Sequence, residues 1–177
     1  ESNFVEKNPD KVRLYNSKEK LGDNEIKLFT NDKAGKAGRA TWFITNKENI
    51  RAHPELIGEW QVIVSSANAG GQKRSNQIQI IDDRSAFGRS RLALKSFKTK
   101  LEAENFLMYA QSDIIKFAFL LTDESITSLG KEVPDIINYT STGLLNFSEN
   151  IDDQLRNYIG LSSEEMNHIR ECINNIR

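Results

Sequence analysis

Lysine and arginine gather in one part of the chain, and what such a cluster can do chemically is the first question the sequence poses. Residues 70–100 carry eight cationic side chains against Asp82 and Asp83 alone, a net +6. Residues 1–69 net +1 and residues 101–177 net −8. A block of like charge repels itself, and a phosphate backbone relieves that repulsion. Two loops and a following strand supply the candidates. The polar stretch 31–39 holds Lys33, Lys36 and Arg39, with Gly35 and Gly38 suited to a hairpin tip. The region 68–91 holds Asn68, Gln72, Lys73, Arg74 and Asn76 around Gly70-Gly71, with Arg84, Arg89 and Arg91 after them. Lysine and arginine neutralise phosphates, whereas Asn68, Gln72, Arg74, Asn76 and Gln77 have the donors and acceptors that read base edges. A strand residue such as Arg91 could instead point away, or pair with Asp82 and Asp83. The plain alternative for the whole block is a solvated basic loop.

Catalytic constellations are scarce by comparison. Pro9-Asp10 followed by Glu25-Ile26-Lys27 fits a PD…ExK nuclease pattern, in which two carboxylates hold Mg²⁺ and a lysine helps activate water. In a chain that is 28% charged, such a match arises easily by chance. Its plain reading is an exposed turn at Asp10 and an ordinary alternating strand at Glu25 and Lys27. Two histidines, His53 and His168, are too few for a histidine-rich metal site. The single Cys172 can make neither an internal disulfide nor a cysteine-based zinc site. Neither a nucleophile elbow, nor a P-loop, nor a His-Glu-x-x-His helix occurs. The sequence therefore assigns no catalytic residue and no metal ligand.

The elements that would position these loops change character near residue 100. Before it, short alternating runs at 25–30, 40–45, 61–64, 77–81 and 91–97 predict strands, and 48–56 predicts a short helix interrupted by Pro54. After it the period becomes helical. Thr99-Lys100-Leu101-Glu102 reads as a capping box opening a helix of roughly 20 residues. Its apolar face would be Leu101, Phe106, Leu107, Ala110, Ile114, Phe117, Ala118 and Leu121. A second box, Ser162-Ser163-Glu164-Glu165, opens a short terminal helix. The expected fold class is α+β, a twisted, mostly antiparallel β part over 1–99 and a helical part of the same domain over 100–177. The 177 residues suffice for one domain with a real core. The longest uncharged runs, 60–72 and 136–148, are 13 residues each, against about 20 for a membrane span, so no membrane partner is expected. The lone cysteine and the absence of a signal-peptide pattern predict a cytoplasmic protein. An opening Glu1 in place of Met is what a piece of a longer chain would show.

Three stretches match a known pattern in order. The first is 55–67, Glu-Leu-Ile-Gly-Glu-Trp-Gln-Val-Ile-Val-Ser-Ser-Ala, followed by Gly70-Gly71. The second is 92–97 leading into Glu102-Ala103-Glu104-Asn105-Phe106-Leu107, and the third is Tyr158-Ile159-Gly160-Leu161-Ser162-Ser163-Glu164-Glu165 with Ile169. Over roughly residues 20–177 the chain resembles the C-terminal specificity region of TaqI-like and type IIG restriction-modification adenine-specific DNA methyltransferases. In that family a tryptophan-bearing strand, an Ala…Gly-Gly loop, a further strand, an "EAxNF" helix and a closing "Y-G-L-T-x-E-E" helix follow one another. Val133-Pro134 keeps only the core of the family's Phe-Val-Pro stretch.

The resemblance implies a division of labour. The family's catalytic domain carries an Asn-Pro-Pro-aromatic motif and a glycine-rich S-adenosylmethionine site. Asn8-Pro9-Asp10 lacks the second proline and the aromatic that stacks on a flipped base. By that resemblance the chain is a target-recognition part that binds double-stranded DNA and holds no cofactor of its own. S-adenosylmethionine is implied for the parent enzyme, whose catalytic methyltransferase domain is the expected partner. Whether a nuclease domain accompanies the parent is left open. The rival readings are the Mg²⁺-dependent nuclease built on Asp10, Glu25 and Lys27, and a protein-interaction module docking through its acidic helices.

Overall fold

Alternation decides the first sheet. In Glu25-Ile26-Lys27-Leu28-Phe29-Thr30 every second side chain is buried, so a strand with one core face and one half-open face is the economical conformation. The computed structural model describes residues 4–31, 40–65, 78–88, 91–121, 135–141 and 143–175. A short helix α1 (Phe4–Lys7) precedes β1 (Arg13–Leu14), β2 (Glu25–Thr30) and β3 (Thr41–Asn46). Then come β4 (Trp60–Ser65), β5 (Ile78–Ile81), β6 (Ser85–Phe87) and β7 (Arg91–Phe97). The helices α2 (Lys100–Gln111), α3 (Asp113–Leu121), α4 (Ile151–Ile159) and α5 (Ser163–Asn174) complete an α+β fold.

The strands form two sheets, ordered β1-β3-β2-β6 and β5-β4-β7. Among the described residues all pairings are antiparallel except β2 with β6, where Lys27, Leu28 and Phe29 lie opposite Ser85, Ala86 and Phe87 in parallel. The first sheet buries Ile26, Leu28, Phe43 and Ala86 with Val5 of α1. The second presents Val62 and Phe97 to the helices, where they join Ala103, Phe106, Tyr109, Tyr139, Leu155 and Met166 in the larger core. The second sheet and the helices thus share one apolar cluster, and the first sheet with α1 has its own. The expected helix at 48–56 is instead two 3₁₀ turns, Lys47–Asn49 and Pro54–Leu56. Proline cannot continue a preceding helix, and His53 before it takes a left-handed φ of 51°.

The helix expected to run unbroken from residue 100 is also two. Ser112 leaves the helical region with ψ of 152°, and its hydroxyl turns back to donate to the Tyr109 carbonyl at 2.8 Å. The new helix start is capped from a distance: the amides of Asp113 and Ile114 donate to the two carboxylate oxygens of Asp152, at 3.0 and 2.9 Å. Phe106 and Ile114 are buried as expected, Leu107 and Phe117 are only half-buried, and Leu121 is 71% exposed. At the Thr99 cap the Glu102 amide donates to the threonine hydroxyl oxygen at 3.3 Å. Glu102 answers by accepting from that hydroxyl rather than from the backbone. The box at Ser162 and Glu165 is fully reciprocal. Between the last two helices Gly160, at φ 84°, lets its own amide and that of Leu161 close on the Arg156 carbonyl. Among the described residues no helix is long and apolar enough to cross a membrane.

Candidate nucleic-acid interface

The half-open face of the first sheet carries a row of side chains that the alternation places side by side. Phe29 of β2 and Trp42 of β3 are cross-strand partners, their ring centroids 4.8 Å apart. The Lys27 ammonium stands 5.4 Å from the Trp42 ring and 5.8 Å from that of Tyr15. The Arg91 guanidinium, from the second sheet, stands 5.0 Å from the Phe29 ring. Tyr15, Lys27, Trp42, Phe29 and Arg91 thus form an alternating aromatic and cationic strip, each member half-buried. Lys27 is held by an ion pair with Asp82, which also accepts from the Ser85 hydroxyl. Burial works against ionising Asp82, but those two partners outweigh it and hold its carboxyl below the usual range. Burial lowers the pKa of Arg91 from that of a free guanidinium.

Two of the eleven candidate contact residues, Arg84 and Arg91, lie among the described residues. Arg84 donates to the carbonyls of Gly22 and Glu25, tying the turn before β6 to the start of β2. Its guanidinium is already engaged, although the residue is exposed. Arg91 does not pair with Asp82 or Asp83; Lys27 occupies Asp82, and Arg91 lies over Phe29 instead. Lys33, Lys36, Arg39, Asn68, Gln72, Lys73, Arg74, Asn76 and Arg89 lie outside the described residues.

The described ends that flank those nine converge. The Gly88 amide donates to the Phe29 carbonyl at 2.9 Å, and that of Arg91 to the Gly88 carbonyl at 3.1 Å. Arg91 lies opposite Ser65, and Val64 lies opposite both Ile78 and Leu92. A Cβ at Gly88 would stand 2.2 Å from the Thr30 hydroxyl oxygen, so the corner after β6 touches the end of β2. The anchors of 32–39, 66–77 and 89–90 therefore sit at one edge of the fold, where Phe29, Trp42 and Arg91 also lie.

Two residues of the nuclease pattern, Glu25 and Lys27, are otherwise occupied. Glu25 takes the Arg13 guanidinium in a two-pronged bond, at 2.6 and 2.9 Å, and also accepts from the Gly22 amide at 2.9 Å. Those bonds, the Arg13 fork first, bring its pKa down to about 2. Asp10, in the 3₁₀ turn Pro9–Lys11, lines the same open depression as Glu25, but Arg13 lies in it as well. Lys27 is turned to Asp82. Among the described residues no three His, Cys, Asp or Glu side chains are grouped to hold a metal ion. Sequence reasoning passed over Tyr15, Phe29 and Trp42. The signal was present for Phe29, an outward position of the alternating β2, but not for Trp42, since β3 buries three successive residues and does not alternate. Neither a family model, nor a curated protein, nor a solved structure matches the chain.

Proposed function

We propose that this chain recognises duplex DNA for a restriction-modification adenine methyltransferase whose chemistry and S-adenosylmethionine site lie on another domain of the parent. One observation carries the reading: the flanks of three segments rich in Lys, Arg, Asn and Gln meet at one edge, beside a strip of half-buried aromatics and cations. Cations there neutralise phosphates and fix the register, while Asn68, Gln72, Arg74 and Asn76 read base edges. The motif order at 55–71, 92–107 and 158–169 supports the same assignment. On the acidic helical part, the exposed Leu121, Tyr158 and Ile159 suit docking against the catalytic domain. In the cytoplasm such a module needs no bound cofactor.

Duplex binding measured by fluorescence anisotropy across a salt series tests the proposal. If about five phosphates are neutralised, log affinity falls with log salt at a slope near −4 to −5. In the intact enzyme, Lys73→Ala with Arg74→Ala should weaken binding and bring the slope about two units closer to zero. Unchanged affinity and slope in that double variant would refute this location of the surface. Methyl transfer or Mg²⁺-dependent nicking by the isolated chain would refute the division of labour.

A further inference from the structure

Strands β6 and β7 meet at one end, where the Arg91 amide donates to the Gly88 carbonyl at 3.1 Å, yet among the described residues they do not pair. Each is the end strand of its own sheet, β6 beside β2 and β7 beside β4. A cleft of about 370 Å³ opens between them, bounded by the segment 50–57. Ser85, Ala86 and Phe87 line it in succession along β6, and Arg91, Leu92 and Ala93 do the same along β7. Successive side chains of a strand point to opposite faces, so what such a run shares is the strand's edge. The cleft therefore lies along two sheet edges.

Backbone groups on those edges are unpaired. The Lys27 amide donates to the Arg84 carbonyl and the Gly88 amide to the Phe29 carbonyl, both at 2.9 Å, so the ladder with β2 runs through Arg84, Ala86 and Gly88. Alternation turns Ser85 and Phe87 the other way. The Asp82 carbonyl takes the Ser85 amide at 3.1 Å. That leaves the Ser85 carbonyl and both backbone groups of Phe87 without a partner among the described residues. On β7 the Arg91 amide points to Gly88 rather than to β4, and two residues on the backbone groups of Ala93 follow it to the outer edge. Unpaired donors and acceptors on a sheet edge are a template for a further strand, and extended peptides bind in this way.

The cleft also selects side chains. Ile50, Leu56, Ile57 and Leu92 give it apolar walls, and its ionisable lining residues among those described are His53 and Arg91, with no carboxylate. Glu55 pairs with His53, whereas Arg91 has no ion pair among the described residues and lies half-buried over the Phe29 ring. A cation in that setting favours an anionic group beside it. We propose that the cleft takes an extended segment of a partner protein as an added strand. Its backbone pairs with Phe87 and Ala93, its apolar side chains enter the cleft at alternate positions, and a carboxylate lies at the Arg91 end. None of this rests on the DNA reading above.

Hydrogen exchange at the Phe87 and Ala93 amides, followed by NMR in the full chain, reads the pairing directly. The probe is a short capped peptide that alternates valine with threonine and carries two glutamates. Both amides should exchange freely in the unbound chain and at least tenfold more slowly when the peptide saturates it. A twin N-methylated throughout keeps the side chains, loses every backbone donor, and should leave both amides unchanged. A twin with lysine for glutamate should bind about fivefold more weakly or worse. Ala93→Pro deletes an outward amide where an edge strand tolerates proline, and should weaken binding to a similar degree. Should that variant fail to fold, the N-methylated twin still decides. Unchanged exchange at millimolar peptide, equal protection by the N-methylated twin, a lysine twin that binds as tightly, or unaltered affinity in a folded Ala93→Pro would each overturn the proposal. Amides already protected in the unbound chain would overturn it too, since the chain would then be filling its own cleft.

Discussion

Replacing Asp152 by alanine removes the side-chain cap at the start of α3, and the geometry sets the size of the effect. Two amides, those of Asp113 and Ile114, lose their acceptors together. Losing an N-terminal cap costs about 1 kcal/mol, and losing a carboxylate near the positive end of a helix adds about 0.3–1 kcal/mol. The second freed amide brings the expectation for Asp152→Ala to about 2 kcal/mol. For a chain of this length that is a fall in melting temperature of about 4–8 °C. Asp152→Asn keeps one acceptor oxygen and should lose about half as much. Urea denaturation, with the slope checked for constancy, measures the stability. Hydrogen exchange at Asp113 and Ile114 reports locally, and both amides should lose protection well beyond what the global change explains. A loss below about 0.5 kcal/mol, or unchanged exchange at those amides, would refute this account of the helix break.

Phe106→Ala should cost about 3–5 kcal/mol, because the ring is 1% exposed and meets Phe97 and Tyr139, whereas Leu121→Ala at 71% exposure should fall within about 0.5 kcal/mol; comparable losses on denaturation would contradict the assigned core. The Glu25 carboxyl should titrate near pH 2 by NMR, and Arg13→Ala should return it toward the ordinary 4.5. Because its folded pKa is depressed, its contribution is fully present above about pH 4.5 and fades as pH falls through 2; an unperturbed titration in the wild type would mean that the Arg13 fork does not hold in solution. Gly88→Ala should destabilise by about 1–3 kcal/mol, since its methyl would fall on the buried Thr30 side chain. Full tolerance there would deny the close approach of β6 to β2.

Local pattern carried the parts of this fold whose causes are local. The strands near 25–30, 61–64 and 91–97 announce themselves by alternation, and the reciprocal box at Ser162 and Glu165 spans four residues. What could not be read depends on partners far along the chain. The Ser112 break is invisible in an apolar stripe that continues through it, because the side chain that caps α3 is Asp152, 39 residues on from Asp113. Strands β1 and β6, of two and three residues, are too short for a periodic signal and exist by pairing with β3 and β2. At the candidate interface the basic block was legible from composition alone. The role of Lys27 was not, because its partner Asp82 lies 55 residues away and its ring contacts come from Tyr15 and Trp42.

The parallel pairing of β2 with β6 has a kinetic consequence. Lys27 and Ser85 face each other across 58 residues of chain, while the β2–β3 and β4–β5 ladders join strands that follow one another directly. Loop-closure entropy favours the near pairings first, so β6 can zip onto β2 only after the intervening strands have formed. The edge holding Phe29, Gly88 and Arg91 is then the last part of the β structure to assemble on refolding. By the same route backwards it is the first to open. A partner bound along that edge would act as a clasp on the final closing step, slowing unfolding in proportion to its occupancy.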